Sequence, residues 1–245
     1  MKSFLSAVLM IAFIVSPGFG QVGIYLGLEG GDKFDLLKVN DEKGYIKTDM
    51  DHGSNLQYGF NVMFDIQNKF LLETGIYKNT FSESFYFEFP KAKIMEPSLY
   101  NSAFVSWNIP LRMKKRFNIL KEKLFVTPFI GCSVSTNLYK GLLNNLEDTL
   151  TSGTFTNATD SVFYSMKSYK LNKFHLLIES GFSIDFLLFQ KIYLQLITGY
   201  NIGLKNYYRI DVLYEMNDIP ATSGTVYSKG NSIYFLMGLK FPIST

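Results

Sequence analysis

The chain has 245 residues, 47 % of them hydrophobic and 16 % aromatic, with one cysteine and a formal net charge of +3. This length fits one domain or one large barrel. So small a charge leaves no electrostatic footprint for nucleic acid, and a lone Cys132 excludes an internal disulfide and argues against a cysteine-based metal site.

Residues 1–20 have the build of a secretory signal. Lys2 gives a positive start, residues 4–15 are apolar except for Ser6, and Pro17, Gly18 and Gly20 precede an expected cut between Gly20 and Gln21. The run is too short for a membrane-crossing helix, and no later stretch has about 18 uninterrupted apolar residues. No cysteine stands directly after the expected cut to carry a lipid anchor. The mature domain, residues 21–245, is therefore expected to be exported and to hold no inner-membrane helix.

From residue 22 onward the dominant signal is alternation with period two, which means strand rather than helix. In 22–29, Val22, Ile24, Leu26 and Leu28 oppose Gly23, Tyr25, Gly27 and Glu29. A long polar segment, 30–55, follows. The second strand, 56–66, sets Leu56, Tyr58, Phe60, Val62, Phe64 and Ile66 against Gln57, Gly59, Asn61, Met63 and Asp65. A short break leads to the third, 70–78, with Leu72, Thr74 and Ile76 opposite Glu73, Gly75 and Tyr77. The next long segment, 79–98, contains SFYFEFP, whose weak alternation extends the third strand. The fourth strand, 103–113, carries Trp107, Leu111 and Met113 on one side and Asn108, Pro110 and Arg112 on the other. A basic turn, KKRFNILKEK, leads to the fifth strand, 124–136, and a third long segment fills 137–171.

The clearest pair lies within 172–206. Leu176, Ile178, Phe182, Ile184, Phe186 and Leu188 share one face, against His175, Glu179, Gly181, Ser183 and Asp185. After Gln190 and Lys191 the pattern resumes, with Leu194, Leu196, Tyr200, Ile202 and Leu204 opposite Gln195, Gly199, Asn201 and Gly203. Each run is long enough to cross a bilayer as a tilted strand, which takes roughly ten residues. A fourth long segment, 205–230, precedes the eighth strand, where Ile233, Phe235, Met237, Leu239 and Phe241 oppose Tyr234, Leu236, Gly238 and Lys240.

Eight strands thus alternate long and short connections, four of one and three of the other. Outer-membrane barrels pair long external loops with short periplasmic turns, and the count fits both chain ends lying on the turn side. The expected fold is all-β, an eight-stranded antiparallel up-and-down transmembrane β-barrel. Glycine recurs on the inner register because eight strands leave an interior just wide enough for side chains. Asp65, Glu73, Glu179 and Asp185 share that register with Arg112 and Lys240, so a salt-bridged, plugged lumen is expected. Pro110 and Pro128 fall inside predicted strands of a barrel without edges, which puts them at bulges or strand ends.

With LLETGIY at 71–77, NIPLRMK at 108–114, FIGCSVS at 129–135, GYNIGLKN at 199–206 and FLMGLKF at 235–241, the chain resembles the outer-membrane β-barrel (porin-like) proteins of the Bacteroidetes, including the PorT-like group. The resemblance implies a small outer-membrane barrel and, within the PorT-like group, a part in type IX secretion. It carries no catalytic motif.

Other constellations have plain readings. His175 and Glu179 share one strand face with Ser183, but four residues at about 3.3 Å each separate the first two by roughly 13 Å, beyond hydrogen-bond reach. Asp49 and Asp51 lack the further oxygen ligands a Ca²⁺ loop needs. GLEGGDK at 27–33 lacks the spacing of a phosphate-binding loop. Tyr58, Trp107, Tyr200 and Phe241 suit aromatic girdles. The basic cluster Lys114, Lys115, Arg116, Lys121 and Lys123 reads as a solvated turn or a dock for an acidic partner. The sequon at Asn157 means little in a bacterial protein. The expected function is a non-enzymatic envelope protein acting through its outer loops or in an assembly such as type IX secretion. No cofactor or metal is expected, and the partners are outer-membrane lipid and envelope or secretion-system proteins. The alternatives are a lipid-modifying barrel enzyme, a narrow solute pore, and a soluble lipocalin-like barrel with its apolar face inward.

Overall fold

A computed structural model describes residues 22–48, 54–67, 69–88, 99–121, 123–136, 149–156, 161–172, 174–189, 191–217 and 219–244. The expected signal segment, the Asp49–Gly53 stretch and the Asn157 sequon lie outside them. In chain order the strands are β1 (Val22–Asp41), β2 (Ile46–Thr48), β3 (Ser54–Ile66), β4 (Phe70–Phe87), β5 (Leu99–Lys115), β6 (Phe117–Leu120), β7 (Leu124–Thr136), β8 (Thr149–Thr156), β9 (Ser161–Lys170), β10 (Phe174–Phe189), β11 (Ile192–Gly203), β12 (Tyr208–Met216) and β13 (Ile219–Ser244). Eight of them close a ring in the order β1–β3–β4–β5–β7–β10–β11–β13, and β13 pairs back to β1 from Ile24↔Ser244 to Asp41↔Gly224. Every pairing is antiparallel between ring neighbours. The expected closed eight-stranded antiparallel barrel is thus the observed one.

Closure satisfies the backbone of every ring strand without a free edge. It leaves side chains two destinations, and alternation sorts them. Leu28, Phe60, Met113, Ile130, Phe182, Leu196 and Met237 point outward and are exposed, while Glu29, Asn61, Arg112, Glu179, Gln195 and Lys240 are buried inside. The apolar face is outside, which rules out the lipocalin-like orientation. Glycines make room for the bulky inward rings. A methyl carbon on Gly199 would lie 2.3 Å from the Tyr234 ring, and one on Gly181 would lie 2.7 Å from that of Phe129.

Three expectations need correction. The first concerns the four long segments, whose described residues are largely strand rather than loop. β1 continues to Asp41 and β13 begins at Ile219; β12 pairs with β13, β9 with β12, and β8 with β9, while β4 reaches Phe87 as the alternation of SFYFEFP led one to expect. Their alternation is real but diluted by polar residues. Its apolar side turns inward, onto a core of Ile46, Phe85, Phe87, Val162, Met166, Tyr208, Ile210, Val212, Tyr214, Met216 and Val226. The barrel wall therefore rises past the ring into a distal half.

The second correction concerns the prolines. Pro110 sits at neither a bulge nor a strand end: Thr74↔Leu111 and Tyr77↔Asn108 keep one register past it. The Thr74 hydroxyl donates to the Pro110 carbonyl at 2.9 Å. Pro128 pairs with Phe182 in an unshifted ladder to β10. Its other side meets the break between β5 and β6, where no N–H is demanded. The third correction is the basic turn. β5 runs on to Lys115 and β6 follows, so the turn shrinks to residues 121–123, and alternation sends Lys114 and Arg116 inward.

Candidate functional site: the barrel lumen

Cross-strand register assembles the interior. Glu73 of β4 lies directly opposite Arg112 of β5. On the next strand, Gly131 of β7 is the register partner of both Arg112 and Glu179 of β10. A residue without a side chain thus lets the arginine reach across a whole strand. Arg112 Nη1 meets Glu73 Oε1 at 2.7 Å and Nε meets Glu179 Oε2 at 2.5 Å. Lys114 Nζ takes the second Glu73 oxygen at 2.5 Å. Three rings enclose the guanidinium, those of Tyr77, Phe129 and Tyr234, at 5.3, 5.4 and 5.7 Å. Those distances are within cation–π range.

Toward the turn end, Lys240 Nζ pairs with Asp185 Oδ2 at 3.2 Å, and Gln195 Nε2 donates to Asp185 Oδ1 at 2.9 Å. Asp65 is matched with Arg116 at 2.5 Å, not with Arg112 or Lys240. Tyr25 packs between these two cations, 4.6 Å from Lys240 Nζ and 5.8 Å from the Arg116 guanidinium. Toward the distal half, Glu29 accepts from the amide of Asn61 and, at 2.7 Å, from the hydroxyl of Tyr77. Higher still, Lys33 meets Asp35 at 2.5 Å and Asn55 Nδ2 donates to Asp35 at 2.7 Å.

Of the six residues singled out from sequence, Arg112, Glu73 and Glu179 form one cluster and Asp185 and Lys240 a second. Asp65 belongs to a third with Arg116. Glu29, Lys114, Arg116 and the three rings were missed. Their signal was parity, since each falls on the inward position of the local alternation, Arg116 just past the end of β5. Glu73, Arg112, Lys114, Glu179, Asp185 and Lys240 are all at most 2 % exposed. Isolated charges buried that deeply would be prohibitive, so each needs its partner.

His175, Glu179 and Ser183 form one inward column on β10 but take separate partners. His175 Nε2 lies 2.6 Å from the Lys229 carbonyl, and the imidazole stacks on Tyr207 at 5.1 Å. Glu179 is held by Arg112, and Ser183 Oγ accepts from Gln195 at 3.3 Å. Nothing here orients an imidazole toward the serine. GLEGGDK lies on β1 as strand, with Gly27, Glu29, Gly31 and Lys33 on its inward register. Among the described residues no group of three or more His, Cys, Asp and Glu is placed to hold a metal. In the distal half, burial and the Asp41 carboxylate, which accepts from the Tyr214 hydroxyl at 2.8 Å, hold the Tyr214 phenol well above its ordinary pKa.

No family model matches the chain. No curated protein matches it either. Among solved structures it is similar to a major outer membrane protein from Thermus thermophilus, at 8 % identity over 90 % of this chain and 99 % of that one, with a TM-score of 0.44. It is also similar to the outer membrane protease OmpT from Escherichia coli, at 7 % identity over 94 % and 99 % of the two chains, TM-score 0.41. The β domain of the Bordetella autotransporter BrkA follows at 7 % identity, 90 % and 98 % coverage, and a TM-score of 0.26.

Proposed function

We propose that the chain is a small outer-membrane barrel, non-enzymatic, with a lumen plugged by its own side chains and an extracellular distal half that does its work on other envelope molecules. One observation carries this reading: a ring of eight strands turns large apolar residues outward and ion pairs inward. Water would penalise that arrangement and hydrocarbon rewards it, because a closed barrel leaves no backbone group unpaired in lipid. The short turns lie on the periplasmic side with the two ends of the barrel strands. Tyr58 and Trp107 then lie toward the extracellular interface, where Lys78 reaches over the Tyr58 ring at 5.6 Å, and Phe241 lies toward the periplasmic one.

A filled lumen argues for an interaction or structural role over conduction. The separated partners of His175, Glu179 and Ser183 favour it over lipid hydrolysis. The PorT-like resemblance supplies type IX secretion as the assembly to examine. Membrane fractionation tests the location, and a soluble product would overturn it. Liposome swelling tests the plug: no passage of small sugars is expected, and rapid passage would contradict it. Pull-down from outer membrane in mild detergent tests the assembly, and recovery of the barrel alone would count against that part.

A further inference from the structure

We infer that the periplasmic rim is a docking surface for anionic phospholipid headgroups of the inner leaflet. This rests on the membrane reading above and adds a lipid preference to it. All three short turns carry lysine: Lys69; Lys121 and Lys123; and Lys191. Lys115, the last residue of β5, is the next outward position after Leu111 and Met113, so it closes the apolar band on that strand. Its register partner is the outward Phe70, and its ammonium lies 5.2 Å from the Phe117 ring. All five of these lysines are exposed.

The described acids of this end take other partners. Among the described residues they are Asp65 and Asp185, which point inward and pair with Arg116 and Lys240. Glu122, between Lys121 and Lys123 in sequence, lies outside the described residues. The extracellular half differs: exposed Lys38, Lys43, Lys205 and Arg209 are interspersed with exposed Asp32, Glu42, Glu88 and Glu215. Among the described residues, the excess of exposed positive charge thus lies at one rim.

The apolar companions of the rim lysines favour lipid over an acidic protein. Phe117, Ile119 and Leu120 of β6 are 44 %, 55 % and 58 % exposed, and they continue the outward apolar surface of β5. Phe70 and Phe189 lie at the same end of their strands, at 43 % and 70 %. Lysines at the edge of an apolar band put their stems in hydrocarbon and their charge at headgroup depth. Near an anionic surface each is worth about fivefold in affinity, and the attraction decays within a Debye length.

The test compares the full-length barrel with a Lys115→Gln/Lys121→Gln/Lys123→Gln variant and an extracellular control, Lys38→Gln/Lys43→Gln/Lys205→Gln. Each is exchanged between phosphatidylcholine vesicles and vesicles containing phosphatidylglycerol, and bound lipid is counted by native mass spectrometry. The parent and the control should prefer phosphatidylglycerol, a preference that salt at about 0.5 M erodes. The rim variant should lose it by a factor on the order of 100. Equal preference in all three proteins, or none in the parent, overturns the inference. Failure of the parent to insert into either vesicle overturns the membrane reading beneath it. Heat-modifiable gel mobility shows that each variant has folded.

Discussion

Along β13 the inward residues change character at Gly230. On the short-turn side of it Ser232, Tyr234, Gly238 and Lys240 face ion pairs and hydrogen bonds; on the distal side Val226, the register partner of Ile210, belongs to an apolar core with Tyr214 and Phe87. The outward residues change in the opposite sense, from Leu239, Met237 and Phe235 to Tyr227, Thr225 and Ser223. One strand therefore obeys two solvents. In hydrocarbon the oily side turns out and polar groups must satisfy one another within. In water the ordinary arrangement returns, because burying apolar surface is what stabilises it. The junction is marked in the backbone: Gly230 has φ of +74°, in the left-handed region glycine adopts freely, and the β1–β13 register shifts between Asp35 and Leu37 just opposite.

Substitutions that break the lumen should be the most damaging. Arg112→Ala leaves Glu73 and Glu179 buried with their shared cation gone; removing one partner of a buried pair costs about 3–5 kcal/mol. Urea unfolding in detergent, read by gel mobility, should show that loss. In the membrane-facing band, Leu196→Arg should cost about 2–4 kcal/mol if it lies near the bilayer midplane, measured by unfolding from lipid vesicles. Gly199→Leu drives a side chain into Tyr234, an overpacking cost of about 1–3 kcal/mol; Tyr234→Ala in the same chain should recover part of it.

In the distal half the ranking reverses its chemistry. Ile210→Asp should expose residues 208–216 to protease while the barrel keeps its heat-modifiable mobility, since Ile210 is fully buried among apolar side chains. Loss of the barrel together with the distal half would show that the two are one cooperative unit. The outward Arg209–Asp211 pair, at 2.6 Å and well exposed, contributes least. Arg209→Ala should change stability by less than about 1 kcal/mol, the range of surface ion pairs.

Alternation makes the ring legible in the amino-acid sequence. The runs at 174–189 and 192–203 need only period-two counting to assign Ile184 and Leu196 outward and Gly181 and Gly199 inward. The distal half escaped for a physical reason. Residues such as Leu37 and Val39 alternate too, but among Lys, Asp and Asn, and such composition reads as solvated loop; only SFYFEFP, with Phe85 and Phe87, kept enough alternation to be read as an extension of its strand. Parity alone placed Glu73 and Arg112 on the interior; it did not choose partners. Asp65 found Arg116 because β5 continues to Lys115 and the alternation persists through Arg116 into β6, where a turn was expected. The aromatic enclosure of Arg112 draws on three strands distant in sequence, and only closure of the ring brings them together.

The central claim is the inversion of outside and inside between the halves. Single cysteines at Leu196, Leu239, Arg209 and Ile210, in a Cys132→Ser background, can be spin-labelled in lipid vesicles and challenged with oxygen and with a water-soluble nickel chelate. Labels at Leu196 and Leu239 should respond to oxygen from the lipid, one at Arg209 to nickel from water, and one at Ile210 weakly to both. Strong nickel access at Leu196 and Leu239, or a lipid-type oxygen response at Ile210, would contradict the claim.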